Sequence, residues 1–170
     1  MRVLGLDLSL RSTGMVIVPA DWNMNWDRIL VGKTGCPLPK DAPELDRVRR
    51  IQRIRNDVLT FFAGRCVDAA AIEQYAFSAT DSQAHALGEL GGAVKVGLLE
   101  FGIPLHVVSP AAARKLLGKA PRKDVKLWAA QRLYEAGAPR SWSLDVCDAF
   151  VAANYYLAGA GGHAIILEAA

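Results

Sequence analysis

An α/β fold, a five-stranded mixed sheet with helices on both faces, is predicted by three features of the sequence. The N-terminal region holds β-rich runs joined by short polar connections, the pattern of hairpins. Later apolar runs of strand length alternate with segments whose apolar residues recur every three or four positions. No repeat or linker divides the 170 residues, so one sheet has to organise them all.

Residues 2–8 (RVLGLDL) and 14–19 (GMVIVP) are the first two strands, and the polar segment with Arg11, Ser12, Thr13 and Gly14 is their turn. Residues 27–35 supply a third run. From Glu44 to Ala63 the residues Leu45, Val48, Ile51, Ile54, Val58 and Phe62 keep helical period, with Arg47, Arg49, Arg50, Arg53 and Arg55 around them as a solvated face, some DNA contact being the alternative. The stretch 68–77 (DAAAIEQYAF) reads as a short buried strand with Glu73 at its end. Residues 81–101 form a long helix, 104–109 a strand and 110–117 a short helix. Residues 122–136 make an amphipathic helix with Val125, Trp128, Ala129, Leu133 and Tyr134 inward and Gly137 as its stop. Ser143 is placed to cap a last helix over 144–158. The domain is thus expected to span 1–158, with 159–170 as a tail.

The composition, 52% hydrophobic and 22% charged, is that of a globular chain able to bury a core without disulfides or structural metal. No apolar run approaches the roughly 20 residues of a membrane span, and the N-terminus lacks a signal-peptide pattern; a cytoplasmic protein without membrane contact is expected. Cys36, Cys66 and Cys147 are odd in number and far apart, with no CxxC or Cys/His pairing, so neither a disulfide framework nor a zinc site is suggested. A net charge of +3 says little by itself about a polyanionic partner.

Four acids stand where strand ends and a helix could bring them together: Asp7, Glu73, Asp145 and Asp148. Asp145 and Asp148, three apart, share one helical face, and Asp7 and Glu73 interrupt apolar strands where a charge is costly unless compensated. The dipole of a helix N-terminus alone would favour Asp145. Like charges about 4 Å apart at an effective dielectric near 20 repel by about 4 kcal/mol per pair, so protons or cations must compensate. An all-oxygen cluster suits hard divalent ions such as Mg²⁺ or Mn²⁺, and a pair of them is the common device for phosphodiester hydrolysis.

The segments LGLDLSLRSTGMVIV with Asp7, AAIEQ with Glu73 and DVCDAF with Asp145 and Asp148, together with TDSQAHALGELGG, resemble the RuvC family of Holliday-junction resolvases, phage-type members included. The resemblance runs in order through nearly the whole chain and implies a ribonuclease H-like fold. It also implies a homodimer that makes paired, metal-dependent cuts in four-way DNA junctions, with two Mg²⁺ per site and Mn²⁺ as a substitute. By motif, Asp7, Glu73, Asp145 and Asp148 would be metal ligands, Lys123 would match a lysine of the catalytic set and Lys115 a second one. Leu8-Ser9 stands where the family usually has Pro-Gly, and either Tyr75 or Phe77 could supply the aromatic set beside the junction.

The segment 114–126 (RKLLGKAPRKDVK) offers Arg114, Lys115, Lys119, Arg122, Lys123 and Lys126 against one acid, a pattern for phosphate contacts. Gly88, Gly91, Gly92 and Gly97 suggest close helix packing, either with a two-fold mate or within the chain. Other readings are an actin-like ATPase-type domain, which normally needs a longer chain, a non-catalytic DNA-binding subunit, and a flap, branched-DNA or RNA-processing nuclease of the same fold.

Overall fold

The computed structural model describes residues 1–74 and 82–167. Its strands are β1 (Arg2–Asp7), β2 (Thr13–Pro19), β3 (Leu30–Thr34), β4 (Ala69–Glu73) and β5 (Leu105–Val108). Its helices are α1 (Glu44–Phe62), α2 (Ser82–Glu100), α3 (Pro110–Arg114), α4 (Val125–Glu135) and α5 (Leu144–Gly159). The sheet order is β3-β2-β1-β4-β5, with the hairpin strands antiparallel and β1, β4 and β5 mutually parallel. Among the described residues no helix is long and apolar enough to cross a membrane.

Alternation along the strands divides the core between two faces. Leu4, Leu6, Met15, Ile17, Ala70 and Ile72 pack with Ile54, Val58, Leu90, Val94 and Leu98 of α1 and α2. Val3, Val16, Val18 and Ala71 face the other way, onto Phe150, Ala149 and Ala153 of α5 and Leu133 of α4. Asp7 has the parity of Val3, and Glu73 that of Ala71. Both acids therefore project toward α5.

Two glycines set how closely α5 approaches. A Cβ on Gly5 would lie 2.1 Å from the carbonyl oxygen of Ala149, and one on Gly14 would lie 2.0 Å from that of Asp145. Gly14 is also the partner of Asp7 across the hairpin. Any larger residue in either place would lift the N-terminal half of α5 off the end of β1.

Several boundaries differ from the sequence expectation for local reasons. β3 starts late because Trp26–Arg28 forms a 3₁₀ turn, capped by the Asn25 side chain accepting from the Asp27 N–H. α4 starts at Val125 rather than 122, since Asp124 adopts a left-handed conformation (φ 54°) that a continuing helix forbids. Leu45 and Val48, at the start of the α1 stripe, are exposed; burial along α1 is confined to Ile54, Val58 and Phe62.

The segment after α5 folds back onto the body. Asn154 is buried in α5; its side chain accepts from the Ile165 N–H at 2.8 Å and donates to the Ile165 carbonyl at 2.9 Å. Trp22 Nε1 donates to the His163 carbonyl, and the Leu167 N–H donates to the Leu116 carbonyl. Ile165 joins the core on this side of the sheet.

Candidate metal centre and nucleic-acid interface

Parallel pairing of β1 with β4, in the register Leu6 to Ile72, puts Asp7 and Glu73 side by side at the carboxyl ends of neighbouring strands. α5 crosses above them. Its N-terminus is fixed by Ser143, whose hydroxyl accepts from the Val146 N–H. Asp148, one turn in, points down onto the strand ends and is 1% exposed. Asp7, Glu73 and Asp148 each contribute a carboxylate oxygen to a group lying within 4.8 Å of one another.

Asp145 stands at the edge of this triad. The Ser12 hydroxyl, from the β1–β2 turn, donates to its Oδ2. That turn is itself closed by Thr13, whose buried hydroxyl donates to the Ser9 carbonyl at 2.7 Å and accepts from the Ser9 N–H at 3.0 Å. Hairpin and helix are thus joined at the site, by the Ser12 bond and by the contact at Gly14.

Two cations thread the carboxylates. Arg114 Nη2, at the end of α3, bridges Glu73 Oε1 at 3.2 Å and Asp148 Oδ1 at 3.0 Å. Lys126 Nζ, in the first turn of α4, lies 2.7 Å from Asp7 Oδ2, 3.0 Å from Asp148 Oδ2 and 3.7 Å from Asp145 Oδ1. Sequence reasoning placed both on the DNA-contact surface. A signal for the inner position existed: Lys126 shares one α4 face with the buried Ala129, Ala130 and Leu133, three, four and seven residues on.

Four carboxylates against two cations leave two negative charges uncompensated when all are ionised, and the titration behaviour reflects this. Burial, and to a lesser degree the charges of Asp148 and Asp145, raise the Asp7 carboxyl to about 6 despite its bond to Lys126. Burial, followed by the charges of Asp148 and Asp7, raises Glu73 to about 8 against the pull of Arg114 and Lys126. Desolvation disfavours the Lys126 ammonium, but Asp7 and Asp148 outweigh it and hold the amine above its ordinary value.

The donor set fits a hard divalent cation. All donors are carboxylate oxygens, and Asp148 Oδ2 is buried with no aligned hydrogen bond, its contact to Lys126 being an ion pair only. Asp7, Glu73 and Asp148 would hold such an ion, while Asp145 stands outside that group and is linked to it by the Lys126 ammonium at 3.7 Å.

The other described site residues of the sequence analysis make no hydrogen bond or ion pair with these carboxylates. Lys115, Lys119, Arg122 and Lys123 are exposed on the 3₁₀ turn after α3 and the connection to α4. The side chain of Lys123 makes no hydrogen bond or ion pair with a described residue; Lys126, three positions later, reaches the acids. Tyr75 and Phe77 lie outside the described residues. On α1, Arg47 and Arg49 pair with Glu44 and Asp46 one turn back, and Arg55 binds Glu100, in keeping with a solvated face.

No protein-family model matches the chain. The crossover junction endodeoxyribonuclease RuvC of Bordetella avium is 28% identical over 148 residues, 85% of this chain and 78% of the relative. The RuvC of Chloroflexus aurantiacus is 25% identical over 162 residues, 89% of this chain and 94% of the relative. Among solved structures, Thermus thermophilus RuvC in complex with a Holliday-junction substrate superposes with a TM-score of 0.68 at 22% identity, covering 95% of this chain and 98% of that one. By sequence and by fold the chain is RuvC-like, with the ribonuclease H-like architecture that its motifs implied.

Proposed function

We propose that this chain is a divalent-metal-dependent endodeoxyribonuclease that resolves four-way (Holliday) DNA junctions by paired phosphodiester cuts. The observation that carries the reading is the convergence of Asp7, Glu73 and Asp148 at the carboxyl ends of two parallel strands, under a helix that also presents Asp145. Similarity to RuvC proteins over most of the chain supports the junction as substrate. Mg²⁺ is the proposed ion, two per site, with Mn²⁺ able to substitute, and the cytoplasm is the proposed compartment.

Bound ions would supply charge neutralisation and Lewis acidity at the scissile phosphate. The chain's own residues build the seat. Asp7 and Glu73 are rigid because they end core strands, and Arg114 holds Glu73 and Asp148 in one orientation through its bridging Nη2. Ser12 does the same for Asp145. Burial keeps bulk water from the triad, so its charge acts at low dielectric. Lys115, Lys119, Arg122 and Lys123, exposed on the rim, are proposed to take DNA phosphates, with Lys123 nearest in sequence to the α4 turn that faces the acids. Tyr75 or Phe77 is proposed as the aromatic contact to the branch.

A homodimer would place two sites on a two-fold symmetric junction. On α2, Gly88 and Gly92 have open space around them, and Val96 and Leu99, at the next helical spacings, are 54% and 70% exposed. Gly97, by contrast, meets Leu59 of α1 and serves packing within the chain. The stripe Gly88, Gly92, Val96 and Leu99 is the proposed dimer contact.

The test is incubation of the protein with labelled four-way, three-way, flap and linear duplex DNA in Mg²⁺ or EDTA. Symmetric nicks in the four-way junction, in Mg²⁺ only, are the expected result. Asp7→Asn should lower cutting about a thousandfold or more, several kcal/mol of lost transition-state stabilisation, while junction binding persists. Cleavage of linear duplex at the junction's rate, or full activity of Asp7→Asn, would refute the reading.

A further inference from the structure

The two cations in the carboxylate cluster are held in different ways. Arg114 is almost fully enclosed and reaches Glu73 and Asp148 with a planar group fixed by the core. Lys126 is nearly half exposed along its side chain, yet its ammonium, reached from α4, lies among three carboxylates from two other elements: Asp7 on β1, and Asp145 and Asp148 on α5. A flexible chain with its tip in the acids and its stem in solvent can leave without disturbing the core.

A divalent ion bonded to Asp7 Oδ2 and Asp148 Oδ2 at about 2.0–2.1 Å, as Mg²⁺ requires, would occupy the space between the oxygens that now face Nζ at 2.7 and 3.0 Å. Ammonium and metal cannot share it. The displaced ammonium has a destination in solvent, because Lys126 follows the exposed Arg122 and Lys123 by four and three residues, on the basic segment where a polyanion would meet the protein.

We propose that Lys126 is a resident counter-ion that a divalent metal exchanges for, and that its released ammonium then grips a DNA phosphate, so that metal loading itself tightens the hold on DNA. The proposal rests on the nuclease reading above and adds a positioning residue to it. Metal-free protein would keep its acids together through Lys126. Metal-loaded protein would gain one phosphate contact at the mouth of the site.

The experiment uses the full chain and three readouts. Calorimetric titration with Mg²⁺ alone at pH 8 should show Lys126→Met binding the ion about threefold or more tightly than the unmodified protein, because the competitor is gone, while Lys126→Arg, which keeps the charge, stays close to it. Acetylation of Lys126, followed by mass spectrometry on the unmodified protein, should be slow in EDTA and several-fold faster in Mg²⁺; this arm decides the question even if Lys126→Met folds poorly. Junction binding with Ca²⁺ in place of Mg²⁺ should lose about one unit of salt-dependence slope in Lys126→Met, with no difference in EDTA.

Unchanged or weaker Mg²⁺ binding by folded Lys126→Met, or acetylation at one rate with and without Mg²⁺, overturns the exchange. If the unmodified protein binds neither Mg²⁺ nor Mn²⁺, the metal reading falls and the exchange with it. If it binds them but Lys126 does not respond, only the exchange falls.

Discussion

Metal binding at this site should be a proton-releasing reaction, and the structure sets its stoichiometry. With Glu73 at about 8 and Asp7 at about 6, roughly nine-tenths of the first and one-tenth of the second carry a proton at pH 7, together about one proton per site. A divalent ion requires both carboxylates ionised, so binding must expel that proton, and the apparent Kd should tighten about tenfold per pH unit around neutrality. Above about pH 9 both groups are already ionised and the dependence should vanish. The sign for folding runs the opposite way. Both pKa values are raised over the unfolded ones of 3.8 and 4.5, so the contribution of these groups to metal-free stability is complete below about pH 4 and is lost as pH rises through 6 and 8. Isothermal titration with Mg²⁺ in two buffers of different ionisation enthalpy measures the protons directly. Release of fewer than about 0.3 protons at pH 7, or an apparent Kd that is flat from pH 6.5 to 7.5, would refute the electrostatic account of the cluster.

Four substitutions probe the supports of the site and the docking of the tail. Arg114→Met should cost the metal-free protein about 3 kcal/mol at pH 9, roughly 6–12 °C in melting temperature, and markedly less at pH 6, where Glu73 is protonated and needs no partner; equal losses at both pH values would contradict this. Gly14→Ala should cost about 1–3 kcal/mol and weaken Mg²⁺ binding, since its methyl would collide with the Asp145 carbonyl, whereas Gly88→Ala, in open space, should leave Mg²⁺ binding alone; calorimetry on both variants checks the contrast. Asn154→Leu leaves the Ile165 N–H and carbonyl without partners and should cost about 1–3 kcal/mol, with early proteolytic loss of the tail as the diagnostic.

Much of this arrangement was legible in the sequence because it rests on local periodicities. The hairpin, the α1 stripe and the Ser143 cap are each written within a short continuous stretch, and Asp7, Glu73 and Asp148 stood out as charges in apolar surroundings. What the sequence did not reveal depends on tertiary register. Whether a lysine among six basic residues turns inward is decided by where α4 begins, and that is set by the left-handed Asp124, a conformation no local pattern announces. Hence its charge alone does not set Lys126, which pairs with Asp7 and Asp148, apart from the basic residues around it. The tail presented no motif because its docking rests on the buried Asn154 amide, the Trp22 indole and burial of Ile165, partners too far apart in sequence to form a local pattern. The role of Gly14 was likewise hidden, since it answers to a carbonyl 131 positions away rather than to its own turn.

The direct seating of α5 on β1 and β2 has a bearing on how such a protein can change. With the carboxylates borne by strand ends and a helix that touch backbone to backbone, their mutual spacing is part of the core and cannot drift without unfolding cost. On the proposed reading, variation in what is cut is expected along the exposed basic connection between α3 and α4, where side chains can be exchanged while the acids stay put. Grafting that connection from one relative to another should therefore transfer substrate preference and leave the metal chemistry as it was.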